Sequence, residues 1–162
     1  MATPVRPDTI ADAMADALDG QTLTADSWTT TLERSADPTD PTRQGSVCID
    51  GAFVVLCDVD QVEGLSVPPA TGTPVEKWRA SYTFDVLVTL LVPPNKTHRW
   101  SMYIAAGRKI VNLLDVALTT GSTANYNVMS RSLPRLERHP GSDTHYLLRC
   151  SYVCHEYWDH SA

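Results

Sequence analysis

The sequence contains neither a Gly-x-Ser-x-Gly motif nor a glycine-rich segment between a predicted strand and a predicted helix. The first absence excludes the nucleophile turn of the α/β-hydrolases, and the second excludes a phosphate-binding loop. Gly45-Ser46 and Gly121-Ser122 are typical of ordinary loops. Long apolar runs are missing too: no N-terminal run reaches the roughly 7 residues of a secretory signal, and no segment approaches the roughly 18 of a membrane-spanning helix. We therefore expect a protein made in the cytoplasm, with no membrane partner.

Positive charge is scarce, with 13 Lys and Arg against 19 Asp and Glu, a net charge of -6 and a pI near 5.2. This balance argues against a nucleic-acid-binding protein, which needs clustered cations to neutralise phosphates. The nearest approach to a basic cluster is formed by Arg131, Arg135 and Arg138, which lie on a predicted hairpin. Three arginines in such a place are typical of a solvated face or of an interface.

Cysteine is sparse, and Cys48, Cys57, Cys150 and Cys154 all lie within apolar, strand-like runs. We predict free, buried thiols rather than a disulfide framework. A zinc site is the alternative, since His155 follows Cys154. On a strand, however, Cys150 and Cys154 would lie about 13 Å apart, too far for one ion, and His155 would point to the opposite face.

Carboxylate pairs for acid–base catalysis can be sought in Asp58 with Asp60, or in Glu33 with Asp85. Acidic residues at strand ends are usually solvated, and the five histidines lie near predicted helix starts, turns or the terminus. The sequence therefore predicts a protein that is not an enzyme. It indicates no catalytic, cofactor-binding or metal-binding residue.

The most informative segment begins with a strand pattern in which every second residue is apolar, the period of a strand with one buried face. Leu87 and Leu91 break the polar alternation on the other face, which predicts a central strand whose second half is covered on both sides. The alternating residues are Trp78, Ala80, Tyr82, Phe84, Val86, Val88, Leu90 and Val92.

Pro93-Pro94 ends this strand pattern, because proline cannot donate a ladder hydrogen bond. A long amphipathic helix is predicted directly afterwards, since apolar residues recur at steps of three and four. Its stripe comprises Trp100, Tyr103, Ile104, Gly107, Val111, Leu114 and Leu118.

The remaining patterns predict a helix capped by Asp8 and ending near Gly20, short strands at 28–32 and 52–58, and a closing hairpin of 126–133 with 145–158. Long exposed loops are predicted at 34–46 and 60–77. A loop as long as 60–77 is uncommon in a compact domain and is usually functional or disordered, so we expect it to have a role such as binding a partner. Residues 1–162 are thus expected to form one α+β domain in the order α-β-β-β-α-β-β. Its mixed, mainly antiparallel sheet would have about four to five strands, with both helices packed on it.

This succession of elements resembles the tail terminator family of long-tailed bacteriophages, which has similar members in gene transfer agents. The resemblance is one of element order, size and composition over most of the chain. The residues that carry it are Ile10–Leu18, Trp78–Val92, Trp100–Leu118 and Tyr146–Tyr157.

The resemblance implies a structural protein of the virion tail or neck, assembled in the host cytoplasm. Such a protein forms a homo-oligomeric ring, a hexamer in that family, on the last ring of tail tube protein. It stops tube growth and offers a surface to the head–tail connector or stopper protein, with DNA only as cargo passing through the lumen. No cofactor is implied, and the long loops become candidates for reaching a neighbouring subunit.

Three alternatives stay open. Another neck component, such as a stopper or head-completion protein, would share the same class and differ in its partner. A small-ligand-binding α+β domain would show a deep pocket with converging polar groups between helix and sheet. A metal-dependent domain using the four thiols would bind zinc stoichiometrically.

Overall fold

A computed structural model describes residues 7–25, 28–35, 50–67, 75–91, 99–120, 126–132, 134–139 and 143–159. Within these ranges the chain is of the α+β class, as the sequence predicts. The elements in chain order are α1 (Pro7–Leu18), β1 (Thr22–Ala25), β2 (Trp28–Thr31), β3 (Glu33–Arg34), β4 (Ala52–Val67), β5 (Val75–Leu91), α2 (Arg99–Thr120), β6 (Tyr126–Arg131), β7 (Arg135–Arg138) and β8 (His145–Asp159).

The main sheet has the strand order β3-β4-β5-β8-β6, and β7 also pairs with β8. The β3–β4 pair is parallel and the others are antiparallel, so the sheet is mixed and mainly antiparallel. Strands β1 and β2 form a separate antiparallel hairpin. The predicted closing hairpin is confirmed in that β6 and β7 both run antiparallel to β8.

Strand β5 is central, between β4 and β8, and its alternating residues from Ala80 to Leu90 are buried. Leu87 and Thr89 on the opposite face are buried as well, which confirms that this half is covered on both sides. Leu91 is instead exposed, at the end of the strand.

Both helices pack on one face of the main sheet and on each other. One side of each helix is buried, because a spacing of three or four places residues on one side. In α2 the predicted stripe is partly wrong: Ile104 is exposed and Val111 half-buried, whereas Ala106 and Ile110 are in the core. The helix residues in the core are Ile10, Met14, Ala15, Leu18, Tyr103, Ala106, Ile110, Leu114 and Leu118.

The prediction of a long loop at 60–77 is wrong. Residues 60–67 belong to β4 and 75–77 to β5, while 68–74 lie outside the described residues. Proline and glycine in this stretch suggested a loop, but the ladder of β4 to β5 continues to the Val67–Val75 pair. In the other predicted loop, 34–46, Arg34 belongs to β3, and 36–46 lie outside the described residues.

Two smaller predictions also need correction. Helix α1 begins at Pro7, so Asp8 lies inside the first turn rather than before it, and proline suits that first position. Strands β1, β3 and β7 are additional to the predicted order, because segments of two to four residues carry too few positions for a period.

Candidate interaction surface

The outer edge of β4 is open for most of its length within the described ranges. β3 pairs only with Ala52 and Phe53, whereas β4 continues to Val67. The edge of a long strand presents unpaired N–H and C=O groups at alternate residues, which can accept another strand. This edge is therefore a surface on which a protein partner can dock.

A β-bulge between Val59 and Gln61 decides which side chains this edge displays. Val59 lies opposite Tyr82 and Val62 opposite Ala80, so both valines lie on the face that packs against the helices. In a regular strand, residues three apart would point to opposite faces. Both side chains are solvent-exposed, Val59 by 56% and Val62 by 53%.

Acidic residues accompany the two valines. Asp58 and Asp60 are exposed, and the hydroxyl of Thr83 donates a hydrogen bond to Asp60. Burial raises the pKa of the Cys57 thiol to about 11, and the negative charges of Asp58, Asp60 and Asp8 add to the shift. Asp58, Asp60 and Asp8 therefore lie close enough to this thiol to act on it together.

A groove of about 470 Å³ lies on the other side of the molecule, between α2 and the connection from β6 to β7. Its floor is apolar, and the exposed side chain of Ile104 stands at its rim. The apolar residues that line it are Tyr103, Gly107, Val111, Pro134, Leu136 and Leu148.

Gly107 brings α2 close to the β6–β7 connection. A Cβ atom at this position would lie 2.9 Å from Cβ of Pro134, closer than such atoms approach in real structures. The helix and Pro134 are thus in contact only because residue 107 has no side chain. This contact forms the floor of the groove at its middle.

Arginine side chains surround the groove. Arg108 and Arg131 contribute to its lining, and Arg131 forms an ion pair with Asp115. Arg135 and Arg138 lie exposed on the neighbouring strand β7. The predicted basic cluster is thereby placed at the edge of the sheet opposite to β4.

The sheet face turned away from the helices carries a polar network around Asp85. The hydroxyl of Ser151 and the guanidinium of Arg149 both donate to Asp85, the latter at 3.3 Å. Arg149 also lies 3.4 Å from Glu137. Asp85 therefore accepts two hydrogen bonds from the neighbouring strand β8, which is typical of cross-strand stabilisation. The structure does not bring Glu33 to Asp85, because β3 is separated from β5 by β4.

Cys57, Cys150 and Cys154 are free thiols, as predicted, and Cys48 lies outside the described residues. Cys150 and Cys154 are buried in the core, whereas Cys57 is half-buried at its margin. Among the residues that the structure describes, no group of three His, Cys, Asp or Glu side chains is arranged to hold a metal ion.

These thiols predict a loss of stability at alkaline pH. Burial raises the pKa of Cys150 and Cys154 to about 12, whereas an unfolded thiol titrates near 8.5. Above that pH the unfolded chain releases protons that the folded chain retains, so the free energy of unfolding should fall as pH rises from about 8.5. Urea unfolding at pH 7.5, 8.5 and 9.5 measures this slope, below the titration of ordinary tyrosines.

The control is the Cys150→Ala/Cys154→Ala variant, in which two of the responsible groups are gone. Its stability at pH 7.5 will be lower because of the lost packing, but its decline between pH 8.5 and 9.5 should be shallower. Equal slopes for the variant and the natural chain would contradict the assignment.

No helix within the described residues is both long enough and apolar enough to cross a membrane. Comparison of the sequence with models of known protein families, and with curated proteins, finds no match.

Proposed function

We propose that this protein is a structural, non-enzymatic component of a phage-like tail, and that it caps the end of the tail tube as an oligomeric ring of the terminator type. The observation that carries the proposal is that, among the described residues, the outer edge of β4 is open beyond Phe53 and carries two exposed valines. A ring is closed by contacts between unlike surfaces of identical subunits, and a strand edge is suitable material for one of them.

The α+β fold supports the proposal, because its element order is the one in which the sequence resembles the tail terminator family. The long central strand β5 precedes the 22-residue helix α2, and strands β6 to β8 complete the sheet behind them. Partners of the ring would be the tail tube protein on one side and a connector or stopper protein on the other. The net charge of -6 suits a lumen through which DNA passes without adhering.

The groove beside α2 favours a second candidate, a small-ligand-binding domain. A volume of about 470 Å³ lies within the range of ligand sites, which is roughly 300–1,000 Å³. Its lining is mostly apolar, however, and its charged side chains are Arg108 and Arg131 alone. Assembly of the protein without any added ligand would count against this candidate.

Light scattering over a concentration series, alone and with purified tail tube protein, tests the proposal. The natural chain should exceed the 17.8 kDa of one subunit, either by itself or upon the tube protein. The Val59→Asp/Val62→Asp variant should stay at the mass of one subunit in both series, because charged side chains would be buried without partners.

Val116→Asp is the matched control, since Val116 is 59% exposed but lies on α2, away from β4. We expect it to assemble like the natural chain. Circular dichroism should show the same fold for all three proteins. A natural chain that remains a monomer at every concentration and ignores tube protein would refute the terminator function.

A further inference from the structure

We infer that the edge of β4 around Val59 and Val62 in one copy of this chain docks into the groove between α2 and β7 of a second copy. The inference deepens the proposed ring function and rests on it, by naming the two unlike surfaces that would meet. It assigns the groove to a neighbouring subunit rather than to a small molecule.

The groove is long enough to hold both valines. Because of the bulge, Val59 and Val62 lie opposite Tyr82 and Ala80, which are two residues apart on β5, so the valines are spaced by about 7 Å at roughly 3.3 Å per residue. Ile104 and Val111, at the two ends of the groove, lie seven residues apart on a helix, about 10.5 Å at 1.5 Å per residue. Two exposed valines on one face can therefore occupy the apolar floor at the same time.

The charges match as well. Asp58 and Asp60 flank Val59 on the edge, and Arg108 and Arg131 lie around the groove. Arg131 shares its charge with Asp115, whereas the exposed Arg108 stands one helical turn from the exposed Ile104. The groove combines arginines with an apolar lining, and the β4 edge combines carboxylates with valines. Two such surfaces are complementary in both charge and apolar contact.

The position of the two surfaces requires that they belong to different molecules. The edge of β4 is separated from β7 by strands β5 and β8, which places the two sides about 14 Å apart at roughly 4.8 Å per strand. Docking of an edge into the groove of the next copy leaves a free edge and a free groove at the two ends. Such a contact can repeat until a ring closes.

A mixing experiment tests this head-to-tail contact. The edge variant Val59→Asp/Val62→Asp retains a natural groove, and the groove variant Ile104→Asp/Arg108→Glu retains a natural edge. Each alone should remain a monomer. An equimolar mixture should give a dimer of twice the 17.8 kDa subunit mass, with no larger species, because only one productive contact is left.

A charge reversal tests the pairing of Asp58 with Arg108. Asp58→Arg and Arg108→Glu should each weaken assembly by about tenfold, and the chain carrying both substitutions should regain most of the loss. The weakening should diminish at high salt, as expected for exposed charges. Additive losses in the double variant would overturn the pairing.

Photo-crosslinking from p-benzoylphenylalanine at position 62 detects the contact even when the copies associate only weakly. Crosslinks between copies that map to 103–111 or 134–136 support the contact, and crosslinks elsewhere, or none, overturn it. If the natural chain forms rings but the mixture gives no dimer, the inference fails and the ring function survives. If the natural chain fails to assemble with tube protein yet crosslinks in the groove, the terminator function fails and the contact survives.

Discussion

Replacement of Gly51 by alanine is expected to lower the free energy of unfolding by about 3 kcal/mol. Gly51 has a φ of 86°, which costs an L-residue roughly 1–2 kcal/mol. An added Cβ would also lie 2.1 Å from the carbonyl oxygen of Thr31, and overpacking adds about 1–3 kcal/mol. The backbone cannot easily yield, because Gly51 donates to Thr89 and accepts from Glu33.

Gly20→Ala separates the two terms of this cost. Gly20 has a φ of 74°, but a Cβ there would meet nothing within 4 Å. It should cost only the conformational term of about 1–2 kcal/mol. Thermal unfolding should show a decrease in Tm of roughly 6–12 °C for Gly51→Ala and clearly less for Gly20→Ala. Equal decreases would mean that the strand β4 shifts to make room.

Removal of the Tyr82 hydroxyl is expected to cost about 2 kcal/mol. Tyr82 donates a hydrogen bond of 2.8 Å to Glu156, whose side chain is fully buried. Burial raises the pKa of Tyr82, and the hydrogen bond and charge of Glu156 add to the effect, so the hydroxyl remains a donor. In Tyr82→Phe a buried carboxylate loses a partner, and hydrogen bonds to charged groups contribute about 1.5–3 kcal/mol.

Tyr152→Phe is the matched control. Tyr152 is equally buried, but its hydroxyl donates over 3.4 Å to Asp115, whose side chain is 36% exposed and can be solvated. We expect a loss below about 1 kcal/mol by urea unfolding. If both variants lose the same free energy of unfolding, the hydrogen bond from Tyr82 to Glu156 stabilises the fold no more than the one from Tyr152 to Asp115.

The central strand and the long helix could be predicted because each maintains one period over many residues. From Ala80 to Leu90 every second residue enters the core. From Tyr103 to Leu118 one side of the helix does so, although Ile104 of the predicted stripe is exposed. Two-residue β3 carries no period, and its pairing with Ala52 and Phe53 depends on tertiary placement. The prolines and glycine beyond Val67 contributed to the prediction of a loop that begins at residue 60. The β4–β5 ladder nevertheless continues up to Val67, because pairing with β5 decides the structure there.

Part of the candidate interaction surface could also be predicted from the sequence. The cluster of Arg131, Arg135 and Arg138 predicted a solvated face or an interface, and all three side chains lie exposed at one edge of the structure. The groove could not be foreseen, because it depends on the approach of Gly107 to Pro134. The spacing of Val59 and Val62 did contain a signal, since apolar residues three apart within a strand require a bulge to share a face.

Strand β8 sets the order of events when the protein is synthesised. Val67 pairs with Val75 across a short connection, but Leu91 pairs with His145 and Lys77 with Asp159. The β4–β5 hairpin can thus form early, while β5 must wait for a segment that leaves the ribosome much later. During that interval the hairpin has two open edges, and nascent chains on one messenger can pair wrongly through either. Pairing with β8 then covers one edge of the hairpin, and the outer edge of β4 stays open beyond Phe53 among the described residues of the folded protein.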